Sequence, residues 1–235
     1  MCTVSFVHAH GRMIITSNRD EQVLRPAIPP TNYHINNHNL IFPKDPKAGG
    51  TWYAVDENAN VLVLLNGAAE KHKHLPPYRR SRGLIVLDVL GSDSAIETWD
   101  KIDLKNVEPF TLVLFYHKTL YQLRWDGMEK TTLPLDSNKN HIWSSSTLYP
   151  KEVRETRAAW FYNFLDAKPD ITAGEMLHFH RYTENDNAEN GLVINRDGKL
   201  KTLSITQAVI EQHKLSLTYT DLINENESAN SCITL

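Results

Sequence analysis

Met1–Glu21 constrains this chain more than any other stretch. Thr3 to His8 is rich in β-branched and aromatic residues, His10-Gly11-Arg12 interrupts it, and Met13 to Ser17 resumes it. That pattern predicts two strands joined by a tight turn. Cys2 stands at one end of the first strand, and the polar cluster Asn18-Arg19-Asp20-Glu21 at the end of the second. An antiparallel hairpin lays those two ends side by side. The pairing is therefore expected to bring a thiol next to an acid and a base that are remote along the chain.

Position adds to identity. Met1 precedes a small residue, a context in which the initiator methionine is trimmed, and Cys2 would then carry a free α-amine beside its thiol. An α-amine titrates near ~8, so part of it is free base at neutral pH. It can accept a nucleophile's proton without a histidine. A nearby cation such as Arg19 would favour the thiolate. The plain alternative is that Cys2 starts a strand and packs as a small apolar residue.

Composition bounds the rest. The chain has 235 residues and is 41% hydrophobic, enough for one sizeable α/β or α+β core. We read it as a single domain, residues 1–235, with a polar tail from about Asn224 that is expected to fray. A net charge of -3 gives no electrostatic footprint for nucleic acid. Cys2 and Cys232 form neither a disulfide framework nor a zinc spacing, which fits a reducing, cytoplasmic setting. No secretory signal is evident, and no stretch approaches the ~18 apolar residues of a membrane span.

Along the chain, Arg25 to Ala48 reads as a proline-rich loop ending at Gly49-Gly50. Thr51–Val55 and Asn60–Asn66 read as a second hairpin, and Phe110–Tyr116 with Thr119–Arg124 as a third. Ser81–Leu90, Asp93–Trp99, Pro150–Leu165 and Ala173–Tyr182 carry helical spacing. His141–Ser145 reads as a buried strand, Gly191–Asn195 pairs with Lys199–Ile205, and Lys214–Thr220 is a last strand. Strand pairs alternate with helices, so the expected class is α+β: layered, mainly antiparallel sheets with helices on their faces.

These residues resemble a known family. Cys2-Thr3, Asn18-Arg19-Asp20-Glu21 with Arg25-Pro26, Gly49-Gly50-Thr51-Trp52, and Ser81-Arg82-Gly83 opening a helix look like the transport and Golgi organisation protein 2 family, also named for its Asn-Arg-Asp-Glu motif. The resemblance covers roughly the first ninety residues. It implies a four-layer αββα sandwich like that of the N-terminal-nucleophile hydrolases. It also implies an N-terminal-cysteine hydrolase or acyltransferase acting on a linear amide or thioester. Carried over, Cys2 is the nucleophile, Asp20 with Arg19 orders the terminus, and Asn66 donates to the oxyanion. Asn18, Trp52, Arg80 and Arg82 are the ligand-contact candidates. The family's biology implies an alternative: a non-catalytic carrier of a hydrophobic anionic ligand, haem or an acyl-CoA or lipid. No cofactor is implied beyond haem as a ligand, and the expected partner is a small molecule.

Three departures from the amidase relatives stand out. Ser17 replaces their arginine before the motif, Ser144-Ser145-Ser146-Thr147 replaces a later asparagine, and their late arginine has no counterpart beyond Arg196 in a turn. The eleven histidines include pairs at His8/His10, His72/His74 and His178/His180, yet none has a third ligand at metal spacing. Lys71, Lys73, Arg79, Arg80 and Arg82 form a basic loop, read either as an anion clamp or as a solvated surface. Gly49-Gly50 lacks a phosphate-loop ending and is better explained by close backbone approach.

Overall fold

The structure is a computed structural model that describes residues 3–168, 170–212 and 214–234, the last six of them as backbone alone. Cys2 lies outside the described residues. Among the described residues, two seven-stranded antiparallel sheets and four helices make up the regular structure, the α+β class expected from the sequence.

The chain divides into two compact units. One comprises residues 1–26 and 138–234. Its sheet runs β10-β1-β2-β12-β13-β14, where β1 is Thr3–Ala9, β2 Arg12–Gln22, β10 His141–Ser144, β12 Leu200–Glu211, β13 Lys214–Asp221 and β14 Asn226–Thr234. The short β11, Asn195–Arg196, pairs with β12. Helices α3 (Lys151–Asp166) and α4 (Ala173–Tyr182) cover this sheet. Val7, Ile14, Phe161, Met176, Phe179 and Leu192 form the core beneath them. The first hairpin turns at His10-Gly11, whose φ values of 52° and 72° suit a two-residue turn that twists with its strands.

The other unit, residues 27–137, is a meander in chain order. Its strands are β3 Ile28–Ile35, β4 His38–Lys44, β5 Tyr53–Asp56, β6 Val61–Asn66, β7 Phe110–Tyr116, β8 Thr119–Trp125 and β9 Lys130–Leu135. Helix α1 (Arg82–Leu90) packs on β5 and β6, and α2 (Ala95–Lys101) packs on α1. β5 and β6 are buried on both faces up to Leu65.

Three expectations need correction, and one strand went unread. The proline-rich stretch is a hairpin, β3–β4, turned at Asn36-Asn37 with φ of 47° and 71°. Pro29 and Pro30 are tolerated because β3 is an edge strand, and the register shifts between Ile28 and Thr31. β9 was hidden by Pro134 for the same reason: it is the opposite edge. β10 is half-buried because it too is an edge strand. The polar tail pairs with β13 as β14.

Gly50 behaves as expected of a close approach. A Cβ there would sit 2.3 Å from the carbonyl carbon of Gly83, and one on Gly83 would sit 2.8 Å from the carbonyl oxygen of Thr51. The Thr51 amide donates to the Gly83 carbonyl across this crossing, 3.1 Å. Thus the Gly-Gly-Thr-Trp and Ser-Arg-Gly stretches are one backbone junction between the entrance to β5 and the start of α1. Gly50→Ala and Gly83→Ala should each cost about 1–3 kcal/mol, because two main chains must separate to admit a methyl. Gly174→Ala, in the first turn of α4 with no close neighbour, should be neutral or stabilising by up to about 1 kcal/mol. Urea unfolding of the three variants checks this; equal midpoints for all three would contradict it.

Candidate functional site

The centre of β2 is polar and buried: Thr16, Ser17, Asn18, Arg19 and Asp20 are each no more than 2% exposed. Buried polar groups are costly unless hydrogen-bonded, so their partners define the site. Strand alternation puts Asn18 and Asp20 on one face of β2, with Ser17 and Arg19 on the other. Asn18 and Asp20 face the elements that carry their partners.

Asn18 faces α4. Its Nδ2 donates to the carbonyls of His180 (3.0 Å) and Leu192 (2.7 Å). Those bonds fix the amide, so its Oδ1 must accept from His180 Nδ1–H in a short hydrogen bond. His180 Nε2 is then a lone pair and accepts from the Ser5 hydroxyl, 2.7 Å. The imidazole is fully buried, and its pKa falls from 6.5 to about 3, first through burial and then through the charge of Arg157. Ser5, His180 and Asn18 have the order of a catalytic triad, but all three are sealed from solvent. Their role is to bolt α4 to β1 and β2.

Asp20 faces the segment ahead of α3 and the bulge in β12. The Tyr149 hydroxyl donates to Oδ2 at 2.6 Å, and the Thr202 hydroxyl donates to Oδ1 at 2.5 Å. Thr202 also accepts from the Ile194 amide. The register of β12 against β2 shifts between Thr202 and Ser204, so a β-bulge aims the Thr202 hydroxyl at the acid.

Arg157 completes the cluster. It is fully buried on α3, in the apolar stripe between Val153 and Phe161. Nη1 donates to the Thr3 hydroxyl at 2.6 Å, Nη2 to the Gly191 carbonyl in a short bond, and Nε to the Asn190 carbonyl at 3.2 Å. Its guanidinium lies 3.6 Å from the centre of the Tyr149 ring. Thr3, the residue bonded to Cys2, also contacts the Ser144 hydroxyl at 3.2 Å and pairs with Asn18 across the hairpin.

The structure thus brings Asn18 and Asp20 together with residues that sequence reading did not single out: Thr3, Ser5, Tyr149, Arg157 and Thr202. Arg157 alone left a legible signal, a cation breaking the helical spacing of apolar residues. His180 had been considered only as a metal ligand, and it is a structural imidazole. Among the described residues, no group of three or more His, Cys, Asp or Glu is arranged to hold a metal ion.

Arg19 apart, the remaining candidates belong to the other unit. Arg19 is buried on the other face of β2, where its charge reaches Tyr219 of β13, so it does not join Asp20 as one ordering pair. Asn66 ends β6 in the other unit, half-buried, opposite Phe110 of β7. Trp52 is 3% exposed, buried with the hydrophobic core. The basic loop is largely neutralised: Arg79 pairs with Asp103, Arg80 with Asp88 at 2.5 Å, and Arg82 with Glu108 at 2.9 Å. Glu108 also meets His72 and His74, each at 3.2 Å. Beside this loop lies a cleft of about 360 Å³ bounded by His72, Lys73, Leu75, Tyr78, Pro109 and Met128, among others.

Against known proteins, the chain matches the family described as Transport and Golgi organisation 2 over residues 1–216. A search of curated proteins finds no sequence match. Among solved structures it is similar to a cysteine-to-alanine mutant of a conjugated bile acid hydrolase from Clostridium perfringens, with TM-score 0.62 at 10% identity over 98% of this chain and 92% of that one. It is similar also to a Caenorhabditis elegans N-acylethanolamine-hydrolyzing acid amidase ortholog, with TM-score 0.61 at 11% identity over 88% and 92%. A penicillin V acylase from Agrobacterium tumefaciens gives TM-score 0.54 at 9% identity over 97% and 85%. These likenesses establish the N-terminal-nucleophile hydrolase fold. Among the described residues, no helix is long and apolar enough to cross a membrane.

Two outcomes follow from the buried cluster. Below pH 6.5 the unfolded chain binds a proton at His180 that the folded chain refuses until about pH 3. Stability from this group is therefore full above pH 6.5 and drains as pH falls toward 3, at up to about 1.4 kcal/mol per pH unit. Urea unfolding between about pH 6 and 4 should show a steeper loss in the wild type than in His180→Gln; equal slopes would contradict the neutral imidazole. Asp20→Ala removes the carboxylate that accepts from the hydroxyls of Tyr149 and Thr202 and should cost about 1–3 kcal/mol for each lost bond. Cys2→Ser should cost less, and equal midpoints for the two would count against the network.

Proposed function

Because the chain belongs to the Transport and Golgi organisation 2 family, and because it shares its fold with two amide-type hydrolases and an acylase, we propose that it is an N-terminal-cysteine hydrolase or acyltransferase acting on a linear amide or thioester. One observation carries this reading. Thr3, bonded to Cys2, is fixed by a fully buried arginine in a cluster that also holds Asp20. A nucleophile at a chain terminus needs such anchoring, since free termini fray.

In this reading the α-amine of Cys2 takes the thiol proton. The thiolate adds to the substrate carbonyl carbon, and the carbonyl π electrons move to oxygen. Collapse of the oxyanion breaks the C–N or C–S bond, and the α-ammonium protonates the leaving amine or thiol. Water, or an acceptor deprotonated by the same amine, then releases the acyl group. Asp20, which accepts from the Tyr149 and Thr202 hydroxyls, is the carboxylate that orients the ammonium in this reading. The role implied for Asn66, an amide donor to the oxyanion, is tested separately by Asn66→Ala.

A second reading, a carrier for a hydrophobic anionic ligand, draws support from the 360 Å³ cleft, where Leu75, Tyr78, Pro109 and Met128 stand beside Lys73. That size lies within the range of small-molecule sites. Intact mass and turnover separate the two. The hydrolase reading expects loss of Met1, a transient acyl adduct, and hydrolysis of fatty acyl anilides or thioesters that falls about 100-fold or more in Cys2→Ser. Retained Met1, or equal turnover by wild type and Cys2→Ser, would contradict it. Saturable fatty-acid binding without turnover would favour the carrier.

A further inference from the structure

Between β6 and α1 the chain runs through residues 67–81 with no helix or strand, inside an otherwise compact unit. Connections of that length without structure of their own are uncommon and usually carry function. This one is fastened by ion pairs. At its far end Arg79 pairs with Asp103 and Arg80 with Asp88. Its middle is fastened to one carboxylate. His72 Nε2 and His74 Nδ1 each lie 3.2 Å from the same oxygen of Glu108, Oε1, while Arg82 takes Oε2 at 2.9 Å. Glu108 stands in sequence between Val107 and Pro109, which line the cleft of about 360 Å³ together with His72, Lys73, Leu75 and Tyr78 of the loop.

We infer that Glu108 anchors a pH-sensitive latch: through His72 it holds this loop against the cleft more tightly in mildly acidic than in neutral solution. The inference deepens the carrier reading above, because the cleft is the one invoked there. Two observations set the balance. His72 and Glu108 are the sheltered pair, with side chains 14% and 17% exposed, whereas His74 is 66% exposed, so water screens its contact and leaves it weak. In addition, His72 Nδ1 is sealed from water and has no hydrogen-bond partner among the described residues. Such an orphan is costly, and lifting the loop returns it to water. That cost falls on the closed loop whatever the ring's charge: a bare lone pair in the neutral imidazole, an unmatched N–H in the imidazolium. The bond to Glu108 does depend on charge, because an imidazolium donates to a carboxylate roughly twice as strongly as a neutral ring does. Closure thus sets one bond against one orphaned nitrogen, and protonation tips that contest toward closure. Histidine is the side chain whose charge ordinarily changes between about pH 5 and 8, a range in which carboxylates as a class keep theirs.

The charged groups around the latch come from every adjoining element. Lys71 and Lys73 flank His72 on the loop, and Glu70 precedes them. Tyr78 packs on His74, ring centres 5.3 Å apart. Arg82 opens α1, where Asp88 is taken by Arg80, and Asp103, ahead of β7, is taken by Arg79. The turn between β8 and β9 carries Glu129 and brings Asp126 to the cleft; the amides of Glu129 and Met128 hold the Asp126 carboxyl below its ordinary range, so it stays ionised. Lys130 of β9 is engaged elsewhere, its Nζ donating to the carbonyls of Trp99, Asp100 and Ile102 at the end of α2. Arg82 and the two lysines work against a charge on His72. Arg82, however, engages the other carboxylate oxygen, and the contact on the ring itself is with Glu108.

Trypsin reads the latch directly, because Lys71 and Lys73 place its cleavage sites inside the loop. The rate at these two bonds, followed by mass spectrometry and divided by the rate for the same bonds in a synthetic peptide of residues 66–80, reports the open fraction. In the wild type this ratio should fall about fivefold from pH 8 to pH 6. His72→Gln should hold it level across that range, and so should Glu108→Gln, which keeps the shape without the charge. His74→Gln should keep most of the fall. Should Glu108→Gln fail to fold, His72→Gln carries the comparison alone. A level wild-type ratio overturns the latch, as does a fall that persists in His72→Gln. No ligand enters this experiment, so its failure leaves the carrier reading to its own binding test, and a lack of fatty-acid binding leaves the latch standing.

Discussion

A polar run has been placed at the centre of a sheet, and the rest of its unit is arranged to satisfy it. Thr16 through Asp20 lie on a strand with neighbours on both sides, out of reach of water. Each unpaired polar group there would cost several kcal/mol on the harsher transfer scales. The partners are spread across the unit: Gln207 of β12 for Thr16, α4 and the Leu192 carbonyl for Asn18, and Tyr149 and Thr202 for Asp20. Helices, bulge and loop are thereby held in one arrangement, since a half-satisfied network is worse than an apolar one. Gln207 illustrates the coupling, because its amide bridges Thr16 and the first residue of α4.

Much of the fold was legible in the sequence because hydrophobic alternation and turn chemistry act locally. The β1–β2, β5–β6 and β7–β8 hairpins and all four helices follow from apolar spacing and from turns at positive φ. What stayed hidden depended on sheet position. Pro29, Pro30 and Pro134 argue against strands only where both neighbours need an N–H, and sequence does not say which strands lie at an edge. The site was legible in part. Asn18 and Asp20 share a face and a network, as the hairpin required. Arg19 alternates to the other face, which follows from β2 continuing to Gln22 instead of stopping at Ser17. Tyr149, His180 and Thr202 are joined to that network only by tertiary contacts, which no local pattern announces; Arg157 shows only as a cation within the apolar spacing of α3.

Likeness to hydrolases at about 10% identity speaks to architecture. The chemistry must be argued from side chains, and here a buried arginine enters from helix α3 to reach Thr3, next to the expected nucleophile in sequence. The glycine pair Gly50 and Gly83, conspicuous as a motif, belongs to backbone crossing and not to catalysis. The candidate site is anchored on β1 and β2 and completed by Arg157 of α3 and His180 of α4, regular elements that hold side chains more rigidly than loops do.

The central claim is that Asp20 and its hydroxyl partners act as one buried unit at the base of the first hairpin. A double-mutant cycle of Asp20→Ala and Tyr149→Phe, followed by urea unfolding at neutral pH, measures this directly. The account predicts a coupling of about 1 kcal/mol or more between the two sites. Additivity within about 0.3 kcal/mol would contradict it.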